Sequence, residues 1–141
     1  MKVFVDTSAL LALFIKSETD HALVSEKFKQ YKENRAQLFV SDYILAEIFT
    51  NLSYRFGAQA LKTGVNTIDA SLAGGELIMV NAHAIIFAKA KEMIIKYSDQ
   101  KLSFTDCTTY ILFKEANFDE IFTLDADFKK LRLPVSFPRL K

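Results

Sequence analysis

Three acidic residues, Asp6, Asp106 and Asp125, stand where strands end or helices begin, and a fourth, Glu47, lies within a helix that follows a strand. Asp6 follows the apolar run Val3-Phe4-Val5, and Asp125 follows the run that ends at Thr123. Asp106 lies at a predicted helix start, where the macrodipole favours a negative charge by about 0.3–1 kcal/mol. Glu47 sits at the border of an apolar arc made by Ile44, Leu45, Ile48, Phe49 and Leu52, with Asn51 one turn later on the same border. A glutamate placed there points along the surface or into a cleft rather than straight into water. Two carboxylates at about 4 Å repel by roughly 4 kcal/mol at an effective dielectric near 20. A cluster of them therefore raises carboxyl pKa values or recruits a hard divalent cation. Mg²⁺ and Mn²⁺ prefer oxygen ligands, and such an ion polarises a phosphoryl oxygen and stabilises the leaving oxygen. Taken singly, Asp6, Asp106 and Asp125 read as helix caps and Glu47 as a solvated helix charge. Together they argue for one metal-assisted site.

The elements that must position these residues alternate between strand and helix. Val3-Phe4-Val5 is a short run of the kind buried on both faces of a sheet. Asp6-Thr7-Ser8 offers capping residues for the helix that follows. An amphipathic helix spans about 21–35, a strand 38–40, and Ser41 caps the helix carrying Glu47. A further helix covers about 58–73, Gly74-Gly75 turns into a strand at 77–80, and Asn81 caps a long helix to about 97. Thr105 starts another helix, 120–123 is a fourth strand, and 125–131 a short helix. Val135-Ser136-Phe137 is a candidate edge strand hemmed by Pro134 and Pro138. Alternation of this kind implies an α/β fold in three layers, α/β/α, around a mostly parallel sheet. In such sheets ligands bind beyond the carboxyl ends of the strands, where Asp6 and Asp125 fall.

A chain of 141 residues suits one domain over 1–141, with no repeat or linker to divide it. Half the residues are apolar, and the net charge of +1 excludes a broad polycation; nucleic acid would have to meet a local basic face. A single cysteine, Cys107, excludes an internal disulfide and fits a reducing compartment. Asp6 interrupts the N-terminal apolar stretch, no cleavage site follows it, and no apolar run is long enough to span a bilayer. The expectation is a soluble, cytoplasmic protein with no membrane association.

Four segments resemble the PIN-domain nucleases, and size and layout resemble the VapC-type toxins among them: VDTSALLALF, SDYILAEIFTNL, LSFTDCTTYIL and IFTLDADF. Their order and spacing cover essentially the whole chain, and LSFTD followed by TLDADF is the most specific part. The resemblance implies a Mg²⁺- or Mn²⁺-dependent endoribonuclease with Asp6, Glu47 and Asp106 as the core acidic triad. It also implies a fourth acidic ligand in TLDADF, where Asp125 directly follows the strand and Asp127 is the alternative. The family's small polar positions fall on Thr7, Ser8 and Thr105, which would orient a carboxylate or a water. It implies, further, an RNA substrate, an antitoxin protein docked in an apolar groove, and a homodimer. The alternatives are a housekeeping PIN ribonuclease in RNA processing and a non-catalytic RNA- or protein-binding module. A phospho-accepting receiver domain is disfavoured, because Asp6 has no acidic neighbour and the last apolar run ends at Pro138 without a following Lys in place.

Other residues read more plainly. Cys107 is a small packing residue, His21 and His83 are surface or packing residues, and the phenylalanines recur at core spacing. Gly74-Gly75 lacks the Lys and Ser/Thr of a phosphate loop and is a turn. Lys16, Arg55, Lys101, Lys129 and Lys130 are the candidate contacts to an RNA backbone.

Overall fold

The computed structural model describes residues 1–140. Four strands form one parallel sheet: β1 (Lys2–Val5), β2 (Gln37–Ser41), β3 (Ile78–Val80) and β4 (Glu120–Phe122), in the order β3-β2-β1-β4. The chain steps outward from β1 to β2 to β3, then crosses back and lays β4 on the other side of β1. That reversal opens a crevice beyond the carboxyl ends of β1 and β4, the place where open α/β sheets bind ligands.

Among the described residues seven α-helices flank the sheet: α1 (Thr7–Phe14), α2 (His21–Glu33), α3 (Asp42–Phe56), α4 (Ala58–Ala73), α5 (Ala84–Lys96), α6 (Phe104–Glu115) and α7 (Ala126–Lys130). Aromatic contacts show that both sheet faces are covered. Phe4 and its register partner Phe39 meet the ring of Phe118, which in turn meets Phe113 of α6. Val5 and its partner Phe122 lie on the opposite face, where Tyr31 of α2 stacks edge-on against Phe122 at 5.1 Å. The arrangement is therefore α/β/α. Val3, Phe4 and Val5 are all buried, as a continuous apolar strand covered on both faces requires.

Local chemistry sets most element boundaries. Ser41 caps α3 by accepting from the Ile44 N–H at 3.1 Å. Between α3 and α4 the chain turns on Gly57, whose φ of +88° suits glycine. The α5 helix starts later than its sequence suggests: His83 rather than Asn81 is the cap, accepting from the Ile85 N–H. Ser103 caps α6 one step earlier than expected, so Phe104 is its first residue and Asp106 its third. The expected strand at 135–137 shrinks to a single bridge between Val135 and Ile121, flanked by hydrogen bonds from Ile121 N–H to Pro134 and from Ser136 N–H to Ile121. The prolines on either side keep it from extending. Among the described residues, no helix is long and apolar enough to cross a membrane.

Candidate active site

The crevice at the strand ends is a cleft of about 410 Å³, and Asp6, Glu47, Asp106 and Asp125 all line it. The Asp6 N–H continues the β1–β4 ladder, donating to the Phe122 carbonyl at 3.0 Å. Asp6 stands at the N-cap position of α1, but its carboxylate makes no capping bond. Instead it turns toward β4, where Oδ2 accepts from Thr123 Oγ1 at 2.7 Å and from Ser8 Oγ at 3.0 Å. Asp6 is only 5% exposed. Burial pushes its carboxyl up to about 7; the Thr123 hydroxyl opposes that rise, and the neighbouring Asp106 charge adds to it.

Glu47 reaches the cleft from α3, fixed by Thr7, whose hydroxyl donates to Oε1 at 2.6 Å. Asn51, one turn further along, donates to the Glu47 carbonyl at 2.9 Å and lines the same wall. Asp106 arrives at the start of α6 in a reciprocal capping box: its N–H donates to Ser103 Oγ at 3.0 Å, and the Ser103 N–H donates to Asp106 Oδ2 at 3.1 Å. Burial raises the Asp106 carboxyl above the ordinary range, the bond from the Ser103 backbone opposes this, and the charges of Asp125 and Glu47 add to it. Asp125 caps α7 by accepting from the Asp127 N–H at 2.8 Å, while its own N–H donates to Thr123 Oγ1 at 2.9 Å.

Two of these carboxylates, with a third from Asp127, are close enough to share a cation: one oxygen each from Asp106, Asp125 and Asp127 lie within 4.8 Å of one another, a group that does not include Asp6 or Glu47. Asp127 thus approaches the cluster as well as Asp125 does, but it does not line the cleft and lies 3.7 Å from Lys130 Nζ. All-oxygen, acidic and partly buried, this donor set suits Mg²⁺ or Mn²⁺ rather than a softer metal.

Of the small polar residues, Thr7 and Ser8 hold carboxylates directly. Ser8 also accepts from the Leu124 N–H at 2.9 Å, which ties α1 to the loop after β4. Thr105 is buried beside Asp106; its carbonyl accepts from Thr108 Oγ1, and it does not line the cleft. Thr123 and Ser103 escaped the sequence reading, although each had a signal there. Thr123 ends the strand that leads to Asp125, and Ser103 stands three residues before Asp106 in a capping-box pattern. Among the candidate RNA contacts only Arg55 lines the cleft. Lys129 turns to the Pro138 carbonyl, and Lys130 lies beside Asp127. Cys107 is fully buried, and burial followed by the Asp106 charge pushes its thiol up to about 11, which leaves it a packing residue.

The model of the PIN domain family matches residues 3–133. The chain is 33% identical over 123 residues to ribonuclease VapC26 of Mycobacterium tuberculosis (strain ATCC 25618 / H37Rv), covering 87% of this chain and 86% of that one. Among solved structures it is similar to Mycobacterium tuberculosis VapC20, described as a sarcin-ricin loop cleaving toxin. That likeness has a TM-score of 0.78 at 20% identity, over 93% of this chain and 95% of the other. It is also similar to VapBC2 from Rickettsia felis bound to a promoter DNA fragment, with a TM-score of 0.67 at 15% identity over 96% and 98% of the two chains. FitAcB from Neisseria gonorrhoeae gives a TM-score of 0.63 at 13% identity, over 96% and 97%.

Proposed function

The chain belongs to the PIN-domain family, and from that premise we propose that it is a divalent-metal-dependent endoribonuclease, the toxin of a toxin–antitoxin pair. One observation carries the reading: four carboxylates converge on a cleft at the strand ends, where burial and then the charges of Asp125 and Glu47 raise the carboxyl of Asp106. A divalent cation would relieve that repulsion: Asp106, Asp125 and Asp127 offer oxygens within reach of one ion, and Asp6 and Glu47 line the same cleft as its further holders. When bound, Mg²⁺ or Mn²⁺ supplies positive charge against the phosphoryl oxygens and makes water a stronger nucleophile at neutral pH.

The chain's own groups prepare the site. Thr123 and Ser8 fix the Asp6 carboxylate, Thr7 fixes Glu47, and the Ser103 box fixes Asp106. Little side-chain freedom remains to be lost on binding, which is how a site holds reacting groups in register. The buried Asp6 carboxyl carries a proton near neutrality that a cation must displace.

The likeness to ribonuclease VapC26, to the toxin VapC20 and to VapBC2 supports the toxin reading and, with it, an antitoxin partner. A groove of about 430 Å³, walled by Leu10, Leu13, Phe14, Phe28 and Leu77, suits the apolar face of such a peptide. A homodimer is part of the same reading and rests on the family resemblance. Incubating the purified protein with single-stranded RNA and with the matched DNA, in Mn²⁺ or in EDTA, tests the reading. RNA cut only with Mn²⁺ and DNA left intact is the expected result; equal cutting of DNA, or cutting in EDTA, would overturn it.

A further inference from the structure

The acidic cleft meets a polyanion, yet its wall carries six carboxylates (Asp6, Glu18, Asp20, Glu47, Asp106 and Asp125) and a single cation, Arg55. We propose that Arg55 anchors the RNA backbone beside the site of cleavage, and that Glu18 holds its guanidinium in place until a phosphate displaces it. This rests on the ribonuclease reading above. Arg55 Nη2 donates to Glu18 Oε1 at 2.6 Å, and its guanidinium carbon lies 4.8 Å from the centre of the Phe56 ring. Ring and carboxylate together hold the planar fork toward the cleft, ready for bidentate contact with a phosphate.

Two features point to exchange rather than to a structural tie, and a third to which phosphate is taken. The pair is well exposed, 48% for the arginine side chain and 29% for the glutamate, and an ion pair of that kind contributes little to stability. Glu18 presents to Arg55 the same two-oxygen anion that a phosphate would present. Arg55 also lies eight residues beyond Glu47 on α3, about 12 Å along the helix axis at about 1.5 Å per residue. The phosphate it takes is therefore not the one at the acids but one further along the strand. Arg55 is in this sense a positioning residue, contributing binding and register but no chemistry.

Cleavage kinetics on a labelled single-stranded RNA in Mn²⁺, run over a salt series, test the proposal. Arg55→Ala should raise KM about tenfold while kcat stays within about twofold, the pattern of lost uniform binding. The slope of log kcat/KM against log salt should become shallower by about 0.7, the share of one phosphate contact on a single strand. Arg55→Lys should fall between, because it keeps the charge and loses the fork. Glu18→Gln should lower KM, and that gain should vanish in the Arg55→Ala background. A purely structural tie would instead lower the melting temperature and leave the salt slope unchanged, which would overturn the proposal. So would an Arg55→Ala protein with wild-type KM, or a Glu18→Gln gain that survives without Arg55. A wild-type protein that cuts no RNA would sink the ribonuclease reading and this proposal with it, whereas normal cutting by Arg55→Ala would sink the proposal alone.

Discussion

The two ends of the same strands treat their acids in opposite ways. At the amino end of the sheet each acid has a donor of its own: Asp119 accepts from the Lys2 N–H at 2.7 Å, and Glu120 accepts from the Tyr31 hydroxyl with Lys27 Nζ at 4.0 Å. Burial and the bond to Glu120 hold the Tyr31 phenol well above its usual range, so it remains a donor. At the carboxyl end the acids face one another, and neutral hydroxyls and backbone N–H groups hold them in place. Paired acids hold structure together. Acids gathered and buried without donors of opposite charge hold protons more tightly, and a cation that arrives from outside relieves them.

The largest difference between the ends should appear in activity. Asp6→Asn, Glu47→Gln and Asp106→Asn should each lower RNA cleavage on the order of a hundredfold or more, as members of one non-additive unit. The same variants without metal should melt no lower than wild type, since each removes repulsion. Glu120→Gln should do the reverse: turnover stays as in wild type, while stability falls by about 1.5 kcal/mol for a hydrogen bond to a charged group. Kinetics and thermal melts on the four proteins check both halves, and a Glu120→Gln enzyme as damaged as Asp106→Asn would erase the distinction.

A pH titration should separate the ends next. The folded Asp6 carboxyl sits at about 7 against 3.8 for the free group, so the native state holds a proton that the unfolded chain releases. Its contribution to stability is therefore complete below the unfolded value and is lost as pH rises toward about 7. The metal-free melting temperature should fall across that window, and Mn²⁺ should restore it at the upper end. In Asp6→Asn the fall should shrink; an undiminished fall would assign it to another group.

Within the acidic end, Asp125→Asn should weaken Mn²⁺ binding more than Asp127→Asn, because Asp125 lines the cleft and Asp127 faces Lys130. Isothermal titration of both variants decides it, and a larger loss for Asp127 would move the fourth ligand by two residues. The smallest effect belongs to neither end. The Thr109 hydroxyl is buried on α6 without a hydrogen-bond partner, so Thr109→Val should raise stability by about 1 kcal/mol in a thermal melt.

The sequence made the strand ends legible, because short apolar runs bounded by polar residues leave few places for a strand to stop. Val3-Phe4-Val5 and the run at 120–122 were readable in this way, and the acids that follow them came with them. Ser41 was readable as a cap because its bond to Ile44 is local. His83 and Ser103 are not legible in this way: Asn81 is the stronger cap by residue type, Thr105 is an equally plausible helix start, and backbone angles decide among such neighbours. Asp6 is legible as an acid at a strand end, but not its hold on Thr123, which is 117 residues away and meets it only once β1 and β4 pair. The Arg55–Glu18 pair is likewise tertiary, joining the end of α3 to the loop after α1. Local chemistry sets where a carboxylate stands in the chain, and the sheet sets what it faces.

Diffraction from crystals soaked in Mn²⁺, with an anomalous difference map, most directly tests whether the unpaired acids are the cation site. A single strong peak among the carboxylates of Asp6, Glu47, Asp106 and Asp125 is the expected result, and it should disappear in Asp106→Asn. No peak there, or one of equal strength beside Asp119 and Glu120, would contradict the assignment.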